Sequence, residues 1–575
     1  ALWQKILPVF RRQVVTSPRA VYKTNKALSD LMRAIEASVD TSSNKGLGLL
    51  KGELFKGILV IAADKFAPDI ALVKAMLSAS DLRVPHEWYP EARLRKRRFI
   101  YHGGPTNSGK TYQALQRLRS ADPAKGGGLY CGPLRLLALE VYENLTRQGI
   151  YCDLLTGQEK RSLPESSHVS CTVELVSVTR EFDVAVVDEI QMIGNPQRGH
   201  SWTRALQGLL ANEIHICGGL ESSDRVRSIV EEMGDSFEIV KYDRLSPLVV
   251  ADESLQGDYS KIRKGDCIVA FSRNDLYSIK AEIERLTPHK CCMVYGQLPP
   301  ETRSMQARLF NDENTGFDVL VASDAIGMGL NLNIRRIIFH TTMKRGAKVA
   351  NKKTNDDGTW LHPSFVKQIA GRAGRLSSNY KVGEVTAWQE HDLAYIRACL
   401  QIDVPQIPYC GIFPSVEQME EFSEHVKLTN NGVPVTNLSA LMSRFVEGAR
   451  LDGRYLLSEH DDMMLLSNWL NTIPLSLQDR FTFANAPVNT RDQSIAHMIY
   501  QYAAQYALKR PVAINVRLSE KRPTNVLELN EVCMKHNILD LYIWLSLRFP
   551  EWFVEHDKCL EMKQQCIEFI EGALE

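Results

Sequence analysis

The sequence predicts an α/β architecture: two doubly wound parallel-sheet units in tandem, flanked by helical N-terminal and C-terminal regions. Three observations carry that expectation. Between about residues 98 and 405, short fully apolar runs alternate with amphipathic stretches, the texture of parallel strands covered by helices on both faces. Examples are Val184-Ala185-Val186-Val187, residues 214–217, 267–271 and 319–322, and Ile337-Ile338-Phe339. On either side of this region helical periods dominate. Within it, Arg244-Leu245-Ser246-Pro247 reads as a linker that divides the α/β part in two.

Taken in order, residues 1–97 read as a helical leader, with helical periods at 27–37 and 69–79. It ends in a basic stretch, Arg93, Arg95, Lys96, Arg97 and Arg98. A solvated linker is the simpler reading of that run, and contact with phosphate the functional one. The first α/β unit is expected over 98–247 and the second over 248–405. Helices return over 406–575, where Ser415 and Gln418 have capping-box spacing and residues 539–549 read as a buried core helix.

Composition narrows the class. At roughly 150 residues per domain, 575 residues suggest about four folding units. With 44% apolar and 24% charged residues, the chain is neither disordered nor fibrous. Lys and Arg total 69 against 68 Asp and Glu, so any surface for a polyanion must be local. Apolar runs such as residues 57–63 fall far short of the roughly 20 needed to span a bilayer, so no membrane insertion is expected. The 12 cysteines show no C-x-x-C pairing and read as reduced core thiols rather than metal ligands.

Three motifs carry chemistry. Gly104-Pro105-Thr106-Asn107-Ser108-Gly109-Lys110-Thr111 fits G-x-x-x-x-G-K-[ST] between a strand at residues 99–101 and a helix at 112–118. Glycines let the backbone amides wrap the β and γ phosphates of ATP; Lys110 adds a point charge, and Thr111 is a ligand for Mg²⁺. The second motif, Asp188-Glu189-Ile190-Gln191, directly follows a buried strand, where Asp188 can hold Mg²⁺ and Glu189 can orient and deprotonate water. The third, Gln368-Ile369-Ala370-Gly371-Arg372-Ala373-Gly374-Arg375, sets two arginines three residues apart, expected on one side of a helix turn. Arg372 and Arg375 can stabilise charge on a transferring phosphoryl group from across an interdomain cleft.

Together these elements resemble motifs I, II and VI of the superfamily 2 helicases. Pro133-Leu134-Arg135-Leu136-Leu137-Ala138 is similar to motif Ia, Cys171-Thr172-Val173-Glu174 to motif Ib and Phe271-Ser272 to motif IV. The run Ala322-Ser323-Asp324-Ala325-Ile326-Gly327-Met328-Gly329-Leu330-Asn331 is similar to motif V, which touches both nucleic acid and nucleotide. Including Tyr295-Gly296-Gln297-Leu298-Pro299-Pro300 and residues 539–549, the wording resembles the DExH-box mitochondrial degradosome RNA helicases over roughly residues 95–550. The resemblance implies two RecA-like domains that close on ATP and Mg²⁺, with Gly327 and Gly329 near the nucleotide. It implies strand phosphates at Arg135, Thr172 and Ser323, and unwinding of double-stranded RNA from 3′ to 5′ along a single strand, beside an exoribonuclease. It further implies the mitochondrial matrix, with nucleus or plastid as other sites. The acid-free first 29 residues, bearing Lys5, Arg11, Arg12, Arg19, Lys23 and Lys26, suit a remnant of a matrix-targeted precursor or an RNA-facing helix.

The departures are informative too. Gln191 stands where many relatives carry His, and Ser323 replaces the commoner Thr but keeps the hydroxyl. Cys217-Gly218-Gly219-Leu220-Glu221 lacks the usual Ser-Ala-Thr of motif III, so no residue coupling hydrolysis to strand movement can be named from sequence. The absence of an upstream adenine-reading glutamine motif suggests loose nucleotide-base selectivity. A DNA helicase or translocase, and a nucleotide-gated clamp, are the alternative readings. Phosphate contacts alone do not distinguish the sugars.

Overall fold

A computed structural model describes residues 67–344, 359–375, 380–429, 435, 437–490, 492–519 and 521–574. The first α/β unit is built on β1 (Arg98–Gly103), β2 (Gly128–Gly132), β3 (Cys152–Leu155), β4 (Lys160–Arg161), β5 (His168–Thr172), β6 (Glu181–Val187), β7 (Leu210–Gly218) and β8 (Ser236–Lys241). Their spatial order is β4-β3-β5-β2-β6-β7-β1-β8. Every described pairing is parallel except that of β4 with β3. All residues of β6 after Glu181 are buried, which is why this strand reads as a continuous apolar run and not as an alternation.

The second sheet contains β9 (Leu248–Val250), β10 (Asp266–Val269), β11 (Lys290–Val294), β12 (Phe317–Ala322), β13 (Arg336–Phe339) and β16 (Gly383–Ala387), in the order β11-β12-β10-β13-β16-β9. Its pairings are parallel throughout. Between β13 and β16 lies a short antiparallel pair, β14 (Met343–Lys344) with β15 (Thr359–Trp360). Cys267, Val269, Leu320, Ala322, Ile337 and Phe339 fill the sheet side of one core, and Val366 and Ile369 cover it from the helix Pro363–Ala370. Residues 244–247 fall between β8 and β9. All 12 cysteines are buried with free thiols.

Contacts divide the chain into two compact units. The smaller draws on residues 67–83, 414–451 and 475–482, and the larger on 84–413, 452–474 and 483–574. In the smaller, the helix Val416–Thr429 begins with the expected capping box: Ser415 N–H donates to Gln418 Oε1 at 2.9 Å, and Gln418 N–H to Ser415 Oγ at 3.3 Å. In the larger, the helix Val526–Ser546 packs on His556–Leu574 and buries Leu539, Tyr542, Ile543 and Leu545 completely or nearly so. Among the described residues no helix is long and apolar enough to cross a membrane.

Two expectations are adjusted, and a third lies partly outside the described residues. The region after residue 405 is not purely helical, because β17 (Cys410–Ile412) pairs in parallel with β18 (Tyr455–Leu457). The leader is described only from residue 67, where the helix Ala67–Ala79 begins; the period at 27–37 lies outside the described residues. The basic stretch is neither a solvated linker nor a free cationic patch. Arg97 is buried and bonds Asp235 Oδ2 at 2.6 Å and the carbonyls of Gln207 and Leu209 at 3.1 and 3.0 Å. Arg98 bonds Glu238 at 2.8 Å, Arg95 pairs with Glu181, and Arg93 donates to the Gln207 carbonyl at 2.7 Å. Four of the five cations are therefore engaged with the first α/β unit, and Lys96 is exposed.

Candidate functional site

β1 runs into the loop 104–109, and the helix Lys110–Arg119 follows it. Gly109, at φ 80°, supplies the left-handed turn that aims the helix N-terminus back at the loop, a geometry that costs a side-chain-bearing residue energy. Lys110 Nζ donates to the Pro105 carbonyl at 3.1 Å and so lies across the loop. Asn107 Nδ2 donates to Ser246 Oγ at 2.6 Å and to the Gly374 carbonyl at 3.0 Å, and Thr106 faces Gly371.

Asp188 and Glu189 follow β6. Thr111 Oγ1 donates to Asp188 Oδ1 at 3.3 Å, and the Tyr130 hydroxyl donates to Asp188 Oδ2 at 3.1 Å. Burial, then the charge of Glu189, push the Asp188 carboxyl up to about 6, while Lys110 and the Glu189 amide pull it down. Glu189 itself adopts φ 51°, an uncommon left-handed conformation that stores strain beside Asp188. Gln191 Nε2 donates to Glu189 Oε2, and Gln191 Oε1 accepts from Gly219 N–H at 3.4 Å.

These groups fit a magnesium nucleotide. The Thr111 hydroxyl and the Asp188 carboxylate converge at 3.3 Å, hard oxygen donors of the kind a magnesium ion takes. A Cβ at Gly104 would stand 2.6 Å from the Tyr242 carbonyl, so only bare backbone can occupy that position in the cradle. Ser108 Oγ is buried in the loop and has no hydrogen-bond partner among the described residues. Lys110, Glu189 and Gln368 all line one cleft of about 910 Å³, together with Gly104, Thr106 and Gln191.

On the opposite wall the helix carrying Gln368 stops at Ala370, so Arg372 and Arg375 lie in the turn beyond it and not on a helix face. Gly371 and Gly374 explain the stop, since both are packed too closely for a side chain. Arg372 is buried, and its guanidinium Nε donates to the Gly327 carbonyl at 3.0 Å. Burial lowers its pKa, and the charges of Glu189 and Asp188 oppose that shift, so it faces the acidic pair electrostatically. Arg375 donates to Asn331 Oδ1 and to the Leu330 carbonyl, and burial pushes its pKa down to about 10, leaving it cationic at neutral pH. Gly327 stands beside Gln368, and Gly329 packs on Leu134.

The three residues expected to touch strand phosphates lie apart from this cleft's lining. Arg135 heads the helix Arg135–Arg147 and pairs with Asp540 at 3.5 Å. Thr172 closes β5 and is buried. Ser323 caps the short helix Asp324–Gly327, its Oγ accepting from Ala325 N–H at 3.1 Å.

Sequence reasoning missed four participants. Tyr130 and Trp202 brace Asp188, the latter by an Nε1–H bond to its carbonyl at 3.0 Å. Gln191, noticed only as a departure, connects Glu189 to Gly219 in the motif III region. Arg244 was counted as linker, yet it donates to carbonyls of both the P-loop and the arginine turn. Only their position next to a buried run or a domain seam hinted at a role.

Comparison with known proteins agrees with this geometry. The DEXQ-box helicase domain of Suv3 matches residues 85–242, and the helicase conserved C-terminal domain matches 248–377. The Suv3 C-terminal domain 1 matches 466–507, and the ATP-dependent RNA helicase SUV3 C-terminal domain matches 529–575. The chain is 44% identical to the mitochondrial DExH-box ATP-dependent RNA helicase DExH18 of Arabidopsis thaliana, over 91% of this chain and 65% of that protein. It is 41% identical to the mitochondrial ATP-dependent RNA helicase SUPV3L1 of Homo sapiens, over 84% of this chain and 61% of that protein. It thus spans less than two thirds of the length of these two relatives. Against the mitochondrial DExH-box ATP-dependent RNA helicase DExH16 of Arabidopsis thaliana, identity is 43% over 86% of this chain and 84% of that protein. With Lys110 of the P-loop, Glu189 of the acidic pair and Gln368 lining one cleft, and with relatives matched over most of its length, the chain belongs to the Suv3 helicase family.

Proposed function

We propose that this chain is an ATP-dependent RNA helicase that unwinds double-stranded RNA from 3′ to 5′ and supplies single strands to an exoribonuclease in mitochondrial RNA turnover. The observation that supports this most is that Lys110 of the P-loop, Glu189 of the acidic pair and Gln368 line one cleft, with Thr111 bonded to Asp188 behind it. The proposed organisation is a helical leader to residue 97, RecA-like domains over 98–247 and 248–405, and a C-terminal region over 406–575.

In this reading the loop amides of 104–109, with Lys110, bind the β and γ phosphates. Thr111 and Asp188 would hold Mg²⁺, which would supply positive charge against that of the phosphates. Glu189, held by Gln191, orients water and takes its proton. Arg372 and Arg375 stabilise charge on the departing phosphoryl group, an interaction made mainly in the transition state. Arg135, Thr172 and Ser323 grip backbone phosphates, so the strand is held largely without sequence preference. Because two domains grip one strand in a fixed orientation, alternating closure and opening moves the protein one way.

The test is strand displacement on RNA and DNA duplexes bearing a 3′ or a 5′ overhang. ATP-dependent unwinding of RNA with a 3′ tail is expected. Equal unwinding of 5′-tailed duplexes would defeat the polarity, and a DNA preference would defeat the substrate. The mitochondrial names of the relatives support the proposed compartment.

A further inference from the structure

We infer that Arg244 is a positioning residue for phosphoryl transfer, holding the turn that carries Arg372 and Arg375 against the P-loop. The inference rests on the ATPase reading proposed above.

The connection between the two sheets is short, β8 ending at Lys241 and β9 starting at Leu248, and Arg244 lies within it. Its Nε donates to the Ser246 carbonyl at 2.8 Å. Its Nη1 donates to the Thr106 carbonyl at 3.0 Å and to the Gly371 carbonyl at 2.8 Å, and its Nη2 donates to the Ala373 carbonyl. One guanidinium thus joins the linker, the P-loop and the arginine turn. Ser246 and Asn107 complete the clasp by donating to the Gly374 carbonyl, and Leu245 N–H donates to the Asn107 carbonyl at 2.9 Å.

The clasp fixes the turn through its backbone while leaving its side chains for other work. The carbonyls of Gly371, Ala373 and Gly374 are held from the linker and P-loop, while Arg372 and Arg375 bond Gly327 and Asn331 of the motif V run. Only arginine suits the position. Its planar fork presents five donors in a fixed arrangement, whereas a lysine ammonium cannot reach four carbonyls spread over three segments. Among the described residues Arg244 makes no ion pair with a carboxylate, and burial alone lowers its pKa. A partly buried cation that recovers its desolvation cost only from carbonyl dipoles is a poor device for stability. As a means of fixing geometry the same arrangement makes sense, since a misplacement of about 1 Å in a catalytic group can cost about 100-fold in rate.

The experiment is steady-state ATPase of the full chain carrying Arg244→Met, Arg244→Lys, Arg375→Ala, and Arg244→Met with Arg375→Ala, each melted by circular dichroism. Both Arg244 variants are expected to lose about 10- to 100-fold in kcat with KM within about threefold. On the residual turnover of Arg375→Ala, adding Arg244→Met should cost less than it does in the otherwise unaltered chain, because one of the two groups it positions is gone. If Arg244→Met fails to fold, Arg244→Lys keeps the charge and stem and gives the same reading. Unchanged kcat in a folded variant overturns the inference, as does a further full loss in the double variant. A raised KM with kcat retained also overturns it, making Arg244 a ground-state nucleotide contact. A wild-type chain without ATPase would sink the proposed function and this inference together.

Discussion

Arg135 and Asp540 stand 3.5 Å apart, joining the start of the helix after β2 to the long helix Val526–Ser546 near the other end of the chain. Lys563 approaches the same carboxylate at 3.0 Å and Glu301 at 3.3 Å. Although burial raises the Asp540 pKa, the nearby His536, Lys563 and Arg135 hold it below the usual carboxylate value. In the free protein, then, Asp540 occupies Arg135 in the way a phosphate oxygen would.

Charge reversal at Arg135 should therefore act on nucleic acid and on stability together. The log–log salt slope of single-stranded RNA binding is expected to flatten by about 0.7, the value for one lost phosphate contact. Fluorescence anisotropy at several salt concentrations measures it. An unchanged slope would move the strand path elsewhere.

Lys110→Ala should remove most ATP turnover without unfolding the chain, since among the described residues its ammonium is bonded only to a loop carbonyl. Arg375→Ala should keep nucleotide binding yet lose about 1,000-fold or more in turnover, the usual worth of an arginine finger. Equilibrium binding of a fluorescent nucleotide beside a phosphate-release assay separates the two. Collapse of affinity in Arg375→Ala with turnover preserved at saturation would reverse the assignment.

The Asp188 carboxyl, raised from 3.8 to about 6, makes cation binding depend on pH. A raised acid costs the free protein stability as it ionises, so the penalty builds as pH climbs from 3.8 to about 6 and is constant above that. A cation on Thr111 and Asp188 offsets that penalty. The thermal shift produced by Mg²⁺ with nucleotide should thus be full above pH 6 and shrink below it. Asp188→Asn should abolish the dependence; the same pH profile in that variant would count against the site.

A second pH effect concerns stability alone. His102 Nε2 meets His215 Nδ1 at 2.7 Å, and His215 Nε2 meets Glu213 at 2.7 Å, while His102 Nδ1 meets the Tyr242 hydroxyl at 2.8 Å. Burial, then His215, pull His102 from 6.5 down to about 4, and burial lowers His215 as well. Both imidazoles must be neutral in the fold, so their contribution is complete above pH 6.5 and is lost as pH falls towards 4. Urea midpoints across that window should fall less steeply in His102→Gln than in the unaltered chain.

Arg97→Met should destabilise the first α/β unit by about 3 kcal/mol, because it leaves the buried Asp235 with only the more distant Arg93 at 3.9 Å as a cation. Denaturant unfolding checks the size of the loss. A change below 1 kcal/mol would mean that Asp235 finds another partner.

What could be read from the residues was whatever is local. The P-loop announces itself because strand, loop and helix are consecutive and each glycine has a local reason. Asp188 was legible because β6 is buried on both faces and ends beside it. The capping box at Ser415 and Gln418 needed only four residues. What stayed hidden depends on partners far along the chain: Asp235 for Arg97, Asp540 for Arg135, and the Thr106 and Gly371 carbonyls for Arg244. The helix expected under Arg372 failed for a related reason. Its end is dictated by the packing of Gly371 on Thr106 and of Gly374 on Gly383, contacts that periodicity does not register.

The way the chain divides also sets an order of events during synthesis. The smaller unit takes residues from 67–83, from 414–451 and from 475–482, with the two sheets threaded between the first and second segments. A chain emerging from the ribosome can finish the first sheet once β8 is out, since every strand of that sheet lies within residues 98–241. The leader helix must wait with its apolar residues uncovered until more than 300 further residues have been made. A binding factor that shields residues 67–83 during that interval would help the protein reach its native state, and a nascent chain stalled before residue 414 would display the segment to any chaperone.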